Sequence, residues 1–208
     1  MKYIFITGEM RSGTTFLCNF LNSQKEMVLY SDLASTFFME SHDLQIKSID
    51  KRLTKREKNV LLSTLIQGAR LQNVDISHIN RQNINTWWNI FCELNIALSE
   101  NKRIKYVGTK RTREELYLKQ LLDKNIKIIY IVRDPRDVML SNYNRHGDFN
   151  LYESISYWEK SVRNISSLKV NPNLLIIRFE DLIIDSVNTV NLIGNFLDID
   201  ISINKNKY

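Results

Sequence analysis

The sequence predicts a three-layer α/β sandwich with a mostly parallel central sheet flanked by helices. Three β-rich runs carry that prediction: "YIFIT" (Tyr3 to Thr7), "IKIIYIV" (Ile126 to Val132) and "NLLIIRF" (Asn173 to Phe179). Each is nearly continuous in apolar residues, as expected of strands covered on both faces. Segments of helical spacing separate them, and alternating strands and helices favour parallel crossover units. With 208 residues, two prolines, six glycines and no Ser- or Gly-rich linker or repeat, the chain reads as a single domain over 1–208.

The elements follow in order. After the first strand, "GEMRSG" forces a turn and a helix is expected over Thr14 to Ser23. "MVLYS" near Met27 reads as a short strand, followed by helices over Thr54 to Leu71 and Asn83 to Ser99. In the second of these, "NTWWNIFCEL" places Trp87, Trp88 and Phe91 in one helical pattern, which is more often core than a ligand platform. "IKYVG" near Ile104 is the next short strand, and a helix over Glu114 to Asp123 is expected to open with a capping box of Thr112 and Glu115. Beyond the strand at Ile126, helices over Pro135 to Tyr143 and Leu151 to Leu168, the strand at Asn173 and a helix over Ser186 to Leu197 complete the alternation.

Composition excludes several classes. The net charge is +6, but basic clusters such as "KRLTKREK" (Lys51 to Lys58) are interleaved with polar residues like a solvated helix face, so no nucleic-acid partner is expected. No run approaches the roughly 18 apolar residues of a membrane span. "MKYIFITG" enters a strand directly, without the pattern of a secretory or transit leader. Cys18 and Cys92 lie in helical patterns without metal spacing and read as core residues, so a cytoplasmic protein is expected.

The first candidate site is "ITGEMRSGTTFLCNFL", Ile6 to Leu21. Strand, glycine-bounded loop and helix have the arrangement of a phosphate loop, so the sandwich is expected to be of the P-loop type. Gly8 and Gly13 let the backbone turn and approach an anion closely. Amides of Ser12, Gly13, Thr14 and Thr15 would stand at a helix N-terminus, where the dipole favours negative charge. Their hydroxyls add donors, and Arg11 adds a fixed positive charge. Thr14 occupies the position where an ATP-binding loop has its lysine. A simple capped helix start is the bland alternative.

The second candidate site, "VRDPRDVMLSNY", follows the strand at Ile126. Asp134 suits an N-cap, Pro135 the first helical position and Asp137 the first turn. Ser141 lies two helical turns beyond Asp134, so Arg133 and Ser141 are placed to converge on one anion. The alternative is a local Arg133–Asp137 ion pair with Ser141 as a surface hydroxyl. An arginine stands where a kinase would keep a metal-holding carboxylate.

Together "GEMRSGTTFL" and "YIVRDPRDVMLSNY" resemble the two nucleotide-binding motifs of sulfotransferases that use 3′-phosphoadenosine 5′-phosphosulfate (PAPS). "IIRFEDLIIDSVNTVNLIGNFLDI" (Ile176 to Ile199) is similar to the strand–"EDL"–helix–"FL" segment near the end of that domain. The resemblance implies that Arg11, Ser12, Gly13, Thr14 and Thr15 bind the 5′-phosphosulfate, and Arg133 and Ser141 the 3′-phosphate. It also implies a metal-free sulfuryl transfer to a hydroxyl or amine, with Arg11 stabilising charge on the sulfuryl and its leaving phosphate. The acceptor would be a small molecule or glycan.

Some family members use a Glu about twenty residues after the loop Arg as general base; here Asp32 occupies that neighbourhood, with an N-cap role as its alternative. Glu40 and His42 are reserve candidates. Other branches use a His after the strand that here reads "KYVGTKRTREEL", where this chain has none. Lys110 is placed like the family's Lys that approaches substrate or phosphosulfate; an exposed loop lysine is its alternative. Residues 33–105 are expected to build the acceptor pocket and lid. The basic, glycine-containing segment many members carry after "FL" is not found before the last residues, "DISINKNKY", where Lys205 and Lys207 are possible substitutes. A nucleotide kinase on the same scaffold, or a non-catalytic nucleotide-binding protein, are the competing readings.

Overall fold

The computed structural model describes residues 2–32, 38, 39, 44, 45, 48–99, 104–147 and 150–202. In chain order the elements are β1 (Lys2–Thr7), α1 (Thr14–Asn22), β2 (Met27–Ser31), the short strands β3 (Phe38–Met39) and β4 (Leu44–Gln45), α2 (Lys55–Leu71) and α3 (Trp87–Ser99). Then come β5 (Tyr106–Lys110), a 3₁₀ turn (Glu115–Tyr117), α4 (Leu118–Asp123), β6 (Lys127–Val132), α5 (Pro135–His146), α6 (Leu151–Ser166), β7 (Leu174–Arg178), α7 (Phe179–Ile184) and α8 (Ser186–Leu197). Five strands form one sheet in the order β2-β5-β1-β6-β7. All four pairings are parallel, as the continuous apolar runs required. β3 and β4 form a separate antiparallel ladder.

Alternation along β1 divides the core. Ile4 and Ile6 face a layer with Leu17 and Leu21 of α1 and Val190, Ile193 and Leu197 of α8. Phe5 faces the opposite layer, with Leu61 and Leu65 of α2, Trp87 and Phe91 of α3, and Leu118 and Leu121 of α4. Trp87 and Trp88 each stack on Phe91, and Tyr3, near the start of β1, meets Trp88 and Phe91 edge-on. These aromatics are therefore core, near the end of the sheet remote from the strand C-termini.

β1 lies at the centre, and the chain moves to one side of it for β2 and β5 and to the other for β6 and β7. In open parallel sheets such a reversal leaves a crevice beyond the carboxyl ends of the strands, and ligands bind there. The loops after β1 and β6 flank that crevice, and they are the two motifs singled out by sequence.

Three details depart from expectation. α7 follows β7 with no intervening loop, and the sequence pattern did not separate it. α3 begins at Trp87 rather than Asn83. The Thr112–Glu115 capping box does not form: the 3₁₀ turn carries no side-chain cap. Glu114 is instead drawn to Arg111, and Glu115 accepts from the hydroxyls of Tyr130 and Ser161.

Candidate active site

The loop after β1 is held open by backbone geometry that its sequence specifies. Gly8 has φ 154°, and a Cβ there would lie 2.2 Å from the Ile131 carbonyl oxygen of β6. Gly13 has φ 94° and serves as N-cap of α1 without any side-chain cap. A Cβ on Gly13 would lie 2.3 Å from the ring of Phe179. The first amides of α1 are thus left for an external acceptor, as an anion site needs. The Ser12 amide is not among them, since it donates to the Glu9 carbonyl at 3.2 Å. The Ser12 hydroxyl is fully buried and has no hydrogen-bond partner among the described residues. A buried hydroxyl without a partner costs about 1–3 kcal/mol, a cost that an anion in the loop relieves.

Glu9 places a carboxylate inside this anion loop, and Arg113 neutralises it. Arg113 Nε donates to Glu9 Oε1 at 2.6 Å, and the Arg113 amide donates to the Gly8 carbonyl at 3.2 Å. Burial raises the Glu9 carboxyl above its usual range, against the opposing pull of Arg113. The guanidinium of Arg113 also lies over the Tyr157 ring at 4.5 Å. The segment after β5 therefore braces the phosphate loop, a role that sequence spacing did not show.

Across the crevice, α5 starts as expected. Asp134 accepts from the Arg136 amide at 2.9 Å, and Pro135 opens the helix. The side-chain and amide hydrogen bonds of Arg136 hold the Asp134 carboxyl down to about 2. Arg133 is positioned by the third motif: its guanidinium lies 4.6 Å from the Phe179 ring centroid. Glu180 of the same motif accepts from the Asp134 amide at 2.7 Å. Trp158 of α6 donates from Nε1 to the Arg133 carbonyl at 3.0 Å. The local Arg133–Asp137 pair is long, 3.8 Å, and Arg133 Nε is buried with no hydrogen-bond partner among the described residues. Phe179, Glu180 and Trp158 were not singled out by sequence reasoning; the "EDL" segment was recognised only as a whole.

The two motifs meet. Arg11, at φ 67°, donates from Nε to Ser141 Oγ at 2.9 Å, and Arg133 Nη1 donates to the Arg11 carbonyl at 3.2 Å. Arg11, Arg133 and Ser141 line a cavity of about 320 Å³ together with Asp137, Leu140, Asn144 and Arg145. Arg133 and Ser141 thus line one cavity, while Arg11, expected at the 5′ end of the ligand, is turned toward Ser141.

On the other side of β1, Lys110 ends β5 and Asp32 follows β2. Lys110 Nζ lies 2.7 Å from Asp32 Oδ2, and the Asp32 amide donates to the Lys110 carbonyl at 2.9 Å. The Lys110 side chain is only 6% exposed, so it is no free loop lysine. Asp32 has φ 57°, whereas N-cap residues are typically extended. Its carboxylate is about half exposed and also accepts from the Ser31 hydroxyl. Nearby Glu114, paired with Arg111, is pushed up to about 7 by burial. Glu40, His42, Lys205 and Lys207 lie outside the described residues.

A parallel sheet whose reversal crevice is lined by a lysine-free phosphate loop and an arginine–serine pair defines an α/β protein of the phosphate-loop class. The model of the sulfotransferase domain family matches residues 2–207, and the chain belongs to that family. It is 27% identical over 183 residues to luciferin sulfotransferase of Photinus pyralis, covering 79% of this chain and 46% of that protein. It is 25% identical over 196 residues to sulfotransferase 2A1 of Mus musculus, covering 85% and 66% respectively. The chain therefore spans about half to two-thirds of the length of these relatives. Its fold is similar to the sulfotransferase domain of the Synechococcus PCC 7002 olefin synthase (TM-score 0.67, 21% identity, covering 97% of this chain and 74% of that one). It is also similar to mouse sulfotransferase SULT7A1 complexed with PAP (TM-score 0.55, 19% identity, 97% and 60%).

Proposed function

We propose that this chain is a PAPS-dependent sulfotransferase that moves a sulfuryl group to a hydroxyl or amine of an acceptor by in-line displacement. The observation that carries the reading is the convergence of Arg11, Arg133 and Ser141 beside an uncapped helix start with a buried, unpartnered Ser12 hydroxyl. These residues fit a nucleotide with two separated anionic groups. PAPS, when bound, supplies the sulfuryl group, and adenosine 3′,5′-bisphosphate is the leaving group.

In this reading the amides of Gly13, Thr14 and Thr15 and the hydroxyls of Ser12, Thr14 and Thr15 hold the 5′ end. Arg133 and Ser141 hold the 3′-phosphate. Arg11 spans the two, releasing Ser141 to stabilise charge on the group in transfer. Asp32 takes the acceptor's proton, and Lys110 fixes that carboxylate and supplies positive charge beside it. The 33–105 segment forms the acceptor pocket of a single domain over 1–208. The acceptor is proposed as a small molecule or glycan; luciferin in the name of one relative supports the first. A cytoplasmic location fits two free cysteines, Cys18 and Cys92. Among the described residues no helix is long and apolar enough to cross a membrane.

Calorimetry tests the nucleotide assignment. Adenosine 3′,5′-bisphosphate should bind in preference to ATP, with EDTA leaving the affinity unchanged, because Thr14 replaces the loop lysine and Arg133 the metal-holding carboxylate. Tight, Mg²⁺-dependent ATP binding with indifference to the bisphosphate would favour the kinase reading instead.

The two ends are separable by mutation. A hydrogen bond to a charged group is worth about 1.5–3 kcal/mol, so Arg133→Ala should weaken the bisphosphate by roughly tenfold to a hundredfold. Ser141→Ala should weaken it less, and AMP should be nearly unaffected in both. Equal losses for both nucleotides would sink the assignment of the 3′-phosphate.

A further inference from the structure

The cavity that holds Arg133 and Ser141 contains a third guanidinium that the two sequence motifs do not account for. On α5, Asn144 follows Ser141 by three residues and Arg145 follows Ser141 by four, so all three lie on one face of the helix. All three line the cavity of about 320 Å³ with Arg11 and Arg133. Its lining holds three arginines and one carboxylate, Asp137, whose distance to Arg133 is 3.8 Å. Among the described residues no ion pair to Arg145 is formed, while Arg111, Arg113 and Arg136 each have a carboxylate partner. The cavity therefore has an excess of two positive charges, and an anion entering it meets no like charge that is not outnumbered.

Position on the helix gives the excess a use. Arg145 lies in the last turn of α5, which ends at His146. The carbonyl end of a helix disfavours anions and favours cations. A phosphate dianion beside Ser141 thus approaches the less favourable half of α5, and a cation one turn further on offsets that repulsion. Arg133 and Arg11 line the same cavity.

Resting on the reading of this cavity as the 3′-phosphate subsite, we infer that Arg145 is a third phosphate ligand and, with Asn144, makes the subsite selective for a 3′-phosphate dianion over a free 3′-hydroxyl. The selectivity is then built largely into α5 itself, with its serine and arginine one helical turn apart.

Titration calorimetry of the full chain with adenosine 3′,5′-bisphosphate and with AMP tests this, using wild type, Arg145→Ala and Arg145→Gln. Because Arg145 is exposed, both variants should keep the wild-type melting temperature; the Gln variant retains length and hydrogen bonding without the charge. The expected result is a loss of bisphosphate affinity of roughly three- to tenfold in each variant, less than for a buried charge-assisted bond because Arg145 is exposed and solvent screens it, with AMP affinity unchanged. Wild-type bisphosphate affinity in both variants overturns the role of Arg145 while leaving the 3′-phosphate reading intact. Equal weakening of both nucleotides also overturns it, since the effect is then general attraction. A wild-type protein that binds the two nucleotides equally overturns the subsite reading and this inference together.

Discussion

Asp32→Asn is expected to lower sulfuryl-transfer turnover by roughly 10²–10⁴, the usual worth of a positioned general base, while bisphosphate affinity stays close to wild type. The amide keeps the size of the side chain and one acceptor oxygen, so the Ser31 and Lys110 contacts can persist in weakened form. It cannot take a proton from the acceptor. The Asp32 carboxylate is suited to that task by its surroundings: Oδ2 is fixed by Lys110 at 2.7 Å and by Ser31 at 3.0 Å, while nearly half the side chain is exposed. A helix-capping role predicts the opposite result, because Asn caps about as well as Asp. Turnover near wild type in a variant that melts normally would remove Asp32 from the mechanism and pass the role of base to Glu40 or His42.

Gly13→Ala should be the most damaging single methyl addition to the nucleotide site. At φ 94° an L-residue is strained, at a cost of about 1–2 kcal/mol. The new Cβ would also fall 2.3 Å from the Phe179 ring. That ring cannot move freely, because the Arg133 guanidinium lies over it. The substitution therefore disturbs both anion sites through one contact. A combined cost of about 3 kcal/mol corresponds to a drop in melting temperature of roughly 6–12 °C for a chain of this size where the loop keeps its conformation, or to a loss of bisphosphate affinity on the order of a hundredfold where the loop escapes the strain and must be restored on binding. Gly147→Ala is the control: it has φ 71° with no atom within 4 Å of the added Cβ, so it carries the backbone strain without the collision. Equal effects of the two substitutions would remove Phe179 from the argument.

The strands were legible because each apolar run is a local signal: a strand buried on both faces has to be apolar at nearly every position. The structure places strands at all five expected runs, with ends within about two residues of the sequence reading. α8 runs over Ser186–Leu197, as its apolar spacing predicts. α7 was not legible, since its six residues are too few to show a 3.6-residue period and no turn residue separates it from β7. The Thr112–Glu115 box failed for a different reason. A capping box is worth little when longer-range partners compete, and here the Tyr130 and Ser161 hydroxyls hold the Glu115 carboxylate.

At the site, the sequence by itself determined which backbone turns and which donors are present. The turns at Gly8 and Gly13 and the helix start at Asp134 and Pro135 follow from local chemistry, although the space beside the two glycines is closed by the distant Ile131 and Phe179. Only the tertiary structure decided which of those donors meet. Arg11 and Ser141 are 130 residues apart in the chain, and their contact depends on β1 and β6 being neighbours in register. The same pairing sets Gly8 against Ile131, while the β6–β7 pairing brings Phe179 and Glu180 to Arg133 and Asp134. Asp32 and Lys110 meet because β2 and β5 pair with Ser31 opposite Lys110. Register is a property of the whole sheet, fixed by how every strand buries its two faces, and no window of sequence short enough to read by pattern contains it.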